Sequence, residues 1–192
     1  MSLRADGREN RLRLIETAET VFAEQGFDAP LDVIAKQAGV SRMTLYRHFK
    51  DRETLTFAIC ERNVRKLEEK AETLKESPNA LTEILNMMLP RFATNQGMLE
   101  GLTRQQTHQT QLNSLMQRVI DLLTGPLARA QAAGFVKRSL RPEDLSILIY
   151  MLGGAVGEGT IEAKTARVHR AMELLQFGFM NTGDDEIGIN RD

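Results

Sequence analysis

Apolar residues recur at helical rather than strand spacing along nearly the whole chain. Leu12, Ile15, Ala18, Val21 and Phe22 form one stripe, and Gly26 stands where a helix commonly ends. The pattern then predicts a short helix over 31–38, a turn at Gly39-Val40-Ser41 and a second short helix over 42–49. Asp51 is placed to cap a longer helix that continues through charged positions to about Lys75. Ser77-Pro78-Asn79 breaks the chain. Beyond it, helices are expected over 80–94, 99–107 and 112–133, with Gly125-Pro126 a candidate kink in the last. Pro142 opens another helix, which reaches a glycine-rich stretch at 153–159. A final helix covers 163–180, and the polar residues after it are expected to fray. With no alternating strand pattern, the expected fold is all-α, with about nine helices.

The segment Ile34 to Phe49 has the local chemistry of a helix-turn-helix. Close packing of two short helices needs a small residue on the first, and Ala35 supplies it. The turn needs a residue that tolerates positive φ, and Gly39 is four positions later. Ser41 is placed to cap the second helix, while Ile34, Val40, Leu45 and Phe49 give the apolar contacts. With Leu45 and Phe49 inward, Arg42, Met43, Thr44, Tyr46, Arg47 and His48 are left for a partner, followed by Lys50 and Arg52. Cations, a hydroxyl and a phenol suit phosphate oxygens and base edges in a major groove. Arg8, Arg11 and Arg13 are placed to add backbone contacts. An ordinary amphipathic helix is the plainer alternative for 42–49.

Composition narrows the function classes. The 25 basic and 26 acidic residues nearly cancel, so a nucleic-acid site must be a local patch. The single cysteine, Cys60, rules out an intramolecular disulfide and suits a reducing cytoplasm. No apolar run is long enough to span a membrane, and the first residues lack the apolar core of a secretory signal. The three histidines, at 48, 108 and 169, show no metal-ligand spacing with one another or with Cys60. No nucleophile elbow, Walker loop or dinucleotide fingerprint is present. No catalytic residue, metal or cofactor is therefore expected.

The residues Gly26-Phe27, Ile34-Ala35, Ala38-Gly39-Val40-Ser41, Thr44-Leu45-Tyr46-Arg47-His48-Phe49 and Arg52-Glu53-Thr54-Leu55 closely resemble the DNA-binding domain of the TetR family of repressors. The resemblance covers about the first sixty residues. It implies that Thr44, Tyr46 and His48 grip phosphates, that Arg42, Met43 and Arg47 reach bases, and that Arg52 meets the DNA backbone. Two departures stand out. Met43 occupies a position that is often glycine, and Pro30 stands where a Ser or Thr cap is usual, in a segment one residue shorter than the common pattern. The resemblance also implies a homodimer through the last two helices and a small-molecule effector bound in the C-terminal part. The expected division is 1–54 for DNA binding, 55–181 for ligand binding and dimerisation, and 182–192 as a flexible tail.

The C-terminal part is less legible. Glycines at 153, 154, 157 and 159 imply either a close backbone approach or a helix break. Leu174, Leu175, Phe177 and Phe179 would give the last helix a broad apolar surface. Phe92, Met98, Met116, Ile120 and Tyr150 are the candidate ligand-pocket residues, with plain core the competing reading for each. The polar run Gln105 to Gln111 would add hydrogen-bonding groups or form a solvated helix junction. The function expected from all this is a homodimeric DNA-binding regulator, a repressor released from a pseudo-palindromic operator by a ligand. The alternative is a helical small-molecule-binding protein or enzyme with a vestigial DNA-binding domain.

Overall fold

The computed structural model describes residues 3–103 and 109–179. Among them are eight α-helices and no strand. They are α1 (Leu3–Gln25), α2 (Leu31–Gln37), α3 (Arg42–His48), α4 (Arg52–Thr73), α5 (Ala80–Thr103), α6 (Gln109–Ala132), α7 (Pro142–Gly154) and α8 (Ile161–Phe179).

The count falls one short of the sequence reading because α5 is continuous where two helices were expected. Its buried positions explain this: Ile84, Met88, Met98 and Leu102 keep one helical register across Gly97. Pro90 and Pro126 likewise stand inside α5 and α6 without ending them. Part of the polar run at 105–111 and the expected tail at 182–192 lie outside the described residues.

The chain divides into two compact units. The first comprises Met1–Lys66 with Thr94–Leu115, and so extends well beyond residue 54. Its core is built from Leu14, Ile15, Ala18 and Phe22 of α1, Ile34 of α2, Leu45 of α3, and Leu55 and Ile59 of α4, all buried. Each such large side chain contributes on the order of 1.5–3 kcal/mol when removed from water. A polar cluster fixes α4 against α1. Arg62 bonds Glu16 at 2.5 Å and Glu19 at 3.3 Å, and Asn63 Nδ2 donates to Glu19 at 3.0 Å.

The second unit comprises Leu67–Ala93 with Met116–Asp192. Leu81, Ile84, Leu85 and Leu89 of α5, Leu123 and Leu127 of α6, Leu145, Ile149 and Leu152 of α7, and Val168 and Met172 of α8 are buried in it. The last turns of α4 are tied in by a two-bond pair, Arg118 Nε and Nη2 to the Glu68 carboxylate, both at 2.9 Å. Lys70 and Glu83 pair at 3.1 Å. Gln131 Nε2 closes the α6–α7 loop by donating to the carbonyls of Lys137 and Leu140.

The glycine-rich stretch resolves into a helix end and a loop. α7 stops at Gly154, and Gly157 and Gly159 take positive φ, of 60° and 122°. Arg167 of α8 then fills the loop, its Nε donating to the Val156 carbonyl at 2.9 Å and its Nη2 to that of Glu158. Backbone freedom therefore accounts for Gly157 and Gly159. Gly154, at the end of α7, is exposed, with nothing within 4 Å of a Cβ placed there.

Candidate nucleic-acid interface

The helix-turn-helix forms as the sequence chemistry dictates. Ala38 N–H bonds the Ile34 carbonyl, Gly39 N–H that of Lys36 and Val40 N–H that of Ala35, so α2 closes tightly. Gly39, at φ 66°, then turns the chain, a conformation that a side chain would strain. Ser41 caps α3: its Oγ accepts from the Thr44 N–H at 3.1 Å and lies 2.9 Å from Thr44 Oγ1. Leu45 and Phe49 are buried beneath the helix. Arg42, Met43, Tyr46 and Arg47 are left exposed on its other side.

The approach to α2 has no side-chain cap, as Pro30 at the N-cap position implied. Its carbonyls are held from another element instead. Arg52, at the start of α4, donates from Nη1 to the carbonyls of Phe27 and Ala29, the latter at 2.5 Å. Its guanidinium also lies 5.7 Å from the Phe22 ring centroid and 5.5 Å from that of Phe27. The structure thus directs Arg52 onto the protein's own α1–α2 loop. These contacts tie the start of α4 to the segment that leads into α2.

The other candidates are distributed over the outer side of α3. Arg42 pairs with Asp32 of α2 at 3.1 Å and stacks over the Tyr46 ring at 5.6 Å. Hydrogen bonding with Tyr46 and then the charge of Asp32 raise its pKa above the ordinary arginine value. Arg42 therefore stands pre-oriented, with its fork held at the edge of the helix. Met43, Tyr46 and Arg47 are exposed, Thr44 is half-buried beside Ser41, and Lys50 is exposed with its ammonium 3.6 Å from Asp51. Asp32 was not singled out from the sequence: ten positions separate it from Arg42, and only the helix crossing brings them together.

His48 is half-buried, and its Nε2 is enclosed without a hydrogen-bond partner. Burial, and then the positive charges of Arg47 and Arg11, lower its pKa, which keeps the imidazole neutral at pH 7. Arg11 of α1 reaches this end of the helix, its guanidinium 5.1 Å over the Phe49 ring. The charges of Arg47 and Arg11 thus add to burial in disfavouring the imidazolium.

The profile described as "Bacterial regulatory proteins, tetR family" matches residues 14–59, the span from α1 into α4 that builds this surface. A helix-turn-helix-type transcriptional regulator of Staphylococcus aureus is 33% identical over 88 residues, 45% of this chain and 48% of that protein. The chain thus spans about half the length of this curated relative. Over nearly its full length the chain is similar to the crystal structure of a TetR transcription regulatory protein from Mycobacterium vanbaalenii. That likeness has a TM-score of 0.72 at 27% identity and covers 94% of this chain and 100% of the other. A TetR transcriptional regulator from Streptomyces coelicolor matches with a TM-score of 0.70 at 25% identity, over 90% of this chain and 99% of its own. Residues 14–59 thus match the DNA-binding domain of the TetR family, and the chain shares the fold of TetR-type regulators.

The five ligand-pocket candidates are divided between the two units. Met98 is fully buried in the first unit, among core side chains. Phe92, Met116 and Ile120 are half-buried in the second. Tyr150 is 64% exposed and shares an outward face of α7 with Ile147 and Met151. Leu174 and Phe177 are exposed on α8. Leu175 is half-buried. Cys60 is buried, and desolvation pushes its thiol up to about 12, so it stays protonated and unreactive at neutral pH. Among the described residues no group of acidic, histidine or cysteine side chains is placed to hold a metal ion. No described helix is long and apolar enough to cross a membrane.

Proposed function

We propose that this chain is a dimeric, sequence-specific DNA-binding transcriptional repressor of the TetR family. α3 enters the major groove of each half of a pseudo-palindromic operator. The observation that carries the reading is the outer side of α3. Arg42, Met43, Tyr46 and Arg47 point away from a core closed by Leu45 and Phe49, and Arg11 extends the basic surface from α1. In this reading Tyr46 and His48 grip phosphates, which set register and orientation, while Arg42, Met43 and Arg47 face bases.

A second copy of the chain is the proposed cover for the exposed apolar residues of α7 and α8. Ile147, Tyr150 and Met151 recur at helical spacing on α7, as Leu174 and Phe177 do on α8. Five large apolar side chains in water are an association surface rather than scattered exposure. The effector is a small molecule held in the second unit beside Phe92, Met116 and Ile120, and its binding favours a dimer whose α3 helices no longer match the half-site spacing. The protein acts in the cytoplasm, without catalysis.

The test is fluorescence anisotropy with duplexes from upstream of the protein's own gene, across a salt series. Nanomolar, salt-sensitive binding to a pseudo-palindrome is expected. Tyr46→Ala combined with His48→Ala should abolish it while leaving the fold and the dimer intact. Unchanged affinity in that variant would remove α3 from the interface.

A further inference from the structure

Met43 is the most exposed large apolar side chain among the described residues, at 81%. It stands on the first turn of α3, and both neighbours are already engaged. Arg42 is held by Asp32 and Tyr46, and Thr44 by Ser41. The outward tip of this turn is therefore a bare thioether on an otherwise polar surface. It contributes nothing to the core, whose contacts on α3 come from Leu45.

In a major groove the bases offer such a side chain one apolar partner. Guanine, adenine and cytosine present hydrogen-bond donors and acceptors there, whereas thymine presents its C5-methyl group. Placing a thioether against polar edges would strip them of water without replacing the hydrogen bonds. Against a methyl group it buries apolar surface on both sides, and methionine's flexible, polarizable chain adapts to the contact. We propose that Met43 is a specificity-determining residue that reads a thymine methyl at one position of each operator half-site. The inference rests on the DNA-binding function proposed above and names the base that this surface selects. Cytosine methylated at C5 carries the same methyl in the same place and would satisfy Met43 equally.

The experiment uses the full-length protein and an operator selected from randomised duplexes. Each thymine of a half-site is replaced in turn by uracil, which removes the methyl and leaves base pairing and O4 intact. Affinities are measured for the wild type and for Met43→Ala. One thymine should respond, with uracil weakening the wild type by about 3- to 10-fold per half-site. The same change should leave Met43→Ala unaffected. Met43→Gln should lose the thymine and favour adenine there, because its amide matches the N6 and N7 edge. Equal uracil costs in wild type and Met43→Ala at every position would overturn the assignment while leaving DNA binding intact. Failure of any sequence to enrich would overturn the regulator itself.

Discussion

A Cβ placed on Gly101 would run into the face of Phe27: it would lie 2.6 Å from Cε1 and closer still to Cγ and Cδ1. Both residues belong to the first unit, Gly101 on α5 and Phe27 in the loop between α1 and α2. The glycine thus lets α5 lie directly on the ring that Arg52 flanks on another side. Gly101→Ala should lower stability by about 1–3 kcal/mol despite alanine's better helix propensity, through overpacking against the Phe27 ring. In a Phe27→Ala background the clash is gone, and the same substitution should become stabilising by up to about 1 kcal/mol. Thermal melts of the four proteins read this reversal of sign directly.

Arg52 offers a second test, because its two possible roles leave different traces. As a bridge to the carbonyls of Phe27 and Ala29, its loss in Arg52→Ala should cost about 1–3 kcal/mol of stability. Arg52→Lys should restore little, since an ammonium lacks the planar fork that stacks between Phe22 and Phe27. A phosphate contact would instead leave the melt unchanged and lower DNA affinity in proportion to salt release. Chemical denaturation measured beside an anisotropy salt series separates the two.

The start of α4 gives the protein an acid-sensitive point. Partial burial works against the charge of Asp51, but hydrogen bonds from the Thr54 hydroxyl and amide, together with Lys50, outweigh it and lower its pKa. A carboxylate depressed in the folded state contributes stability above its unfolded pKa, near 3.9, and that contribution fades as pH falls through the folded value. Asp51→Ala should therefore cost about 0.5–2 kcal/mol at pH 7 through loss of the cap, and progressively less below about pH 4. His48 works in the same direction at milder acidity. Its depressed pKa means that its contribution is complete above about pH 6.5 and declines below it. Melts of Asp51→Ala and His48→Gln against pH should separate the two windows.

Gly154 tests the proposed dimer without disturbing the fold. Nothing within 4 Å would meet a Cβ there, so Gly154→Leu should leave the melt of the chain nearly unchanged. If a second copy approaches this end of α7, the added side chain should shift the assembly toward monomer by at least tenfold in dissociation constant, and Phe177→Asp should do the same from α8. Sedimentation equilibrium reads both, and dimers as tight as wild type in both variants would move the interface elsewhere.

The helix-turn-helix was legible in the sequence because its constraints are local. The small residue, the turn glycine, the serine cap and the two inward apolar positions all fall within sixteen residues, and the structure realises each of them. Arg52 and Asp32 were not legible in the same way, because their partners are 23 to 25 and 10 positions away and are chosen by the helix crossing. Tyr150 shows the limit for an apolar residue: helical spacing assigns it to a face of α7, but not to the inner or the outer one. The glycines of 153–159 allowed two explanations, and the backbone angles at 157 and 159 select the turn.

α4, α5 and α6 each begin in one compact unit and end in the other. A recombination event or an expressed fragment that cuts the chain once, after α3 or within α4, would part the helix-turn-helix from residues 94–115 and leave Phe27 without Gly101. The unit that holds the helix-turn-helix is therefore not one continuous stretch of sequence. On the function proposed above, transplanting its specificity would mean exchanging the few outward side chains of α3 within the host's own frame.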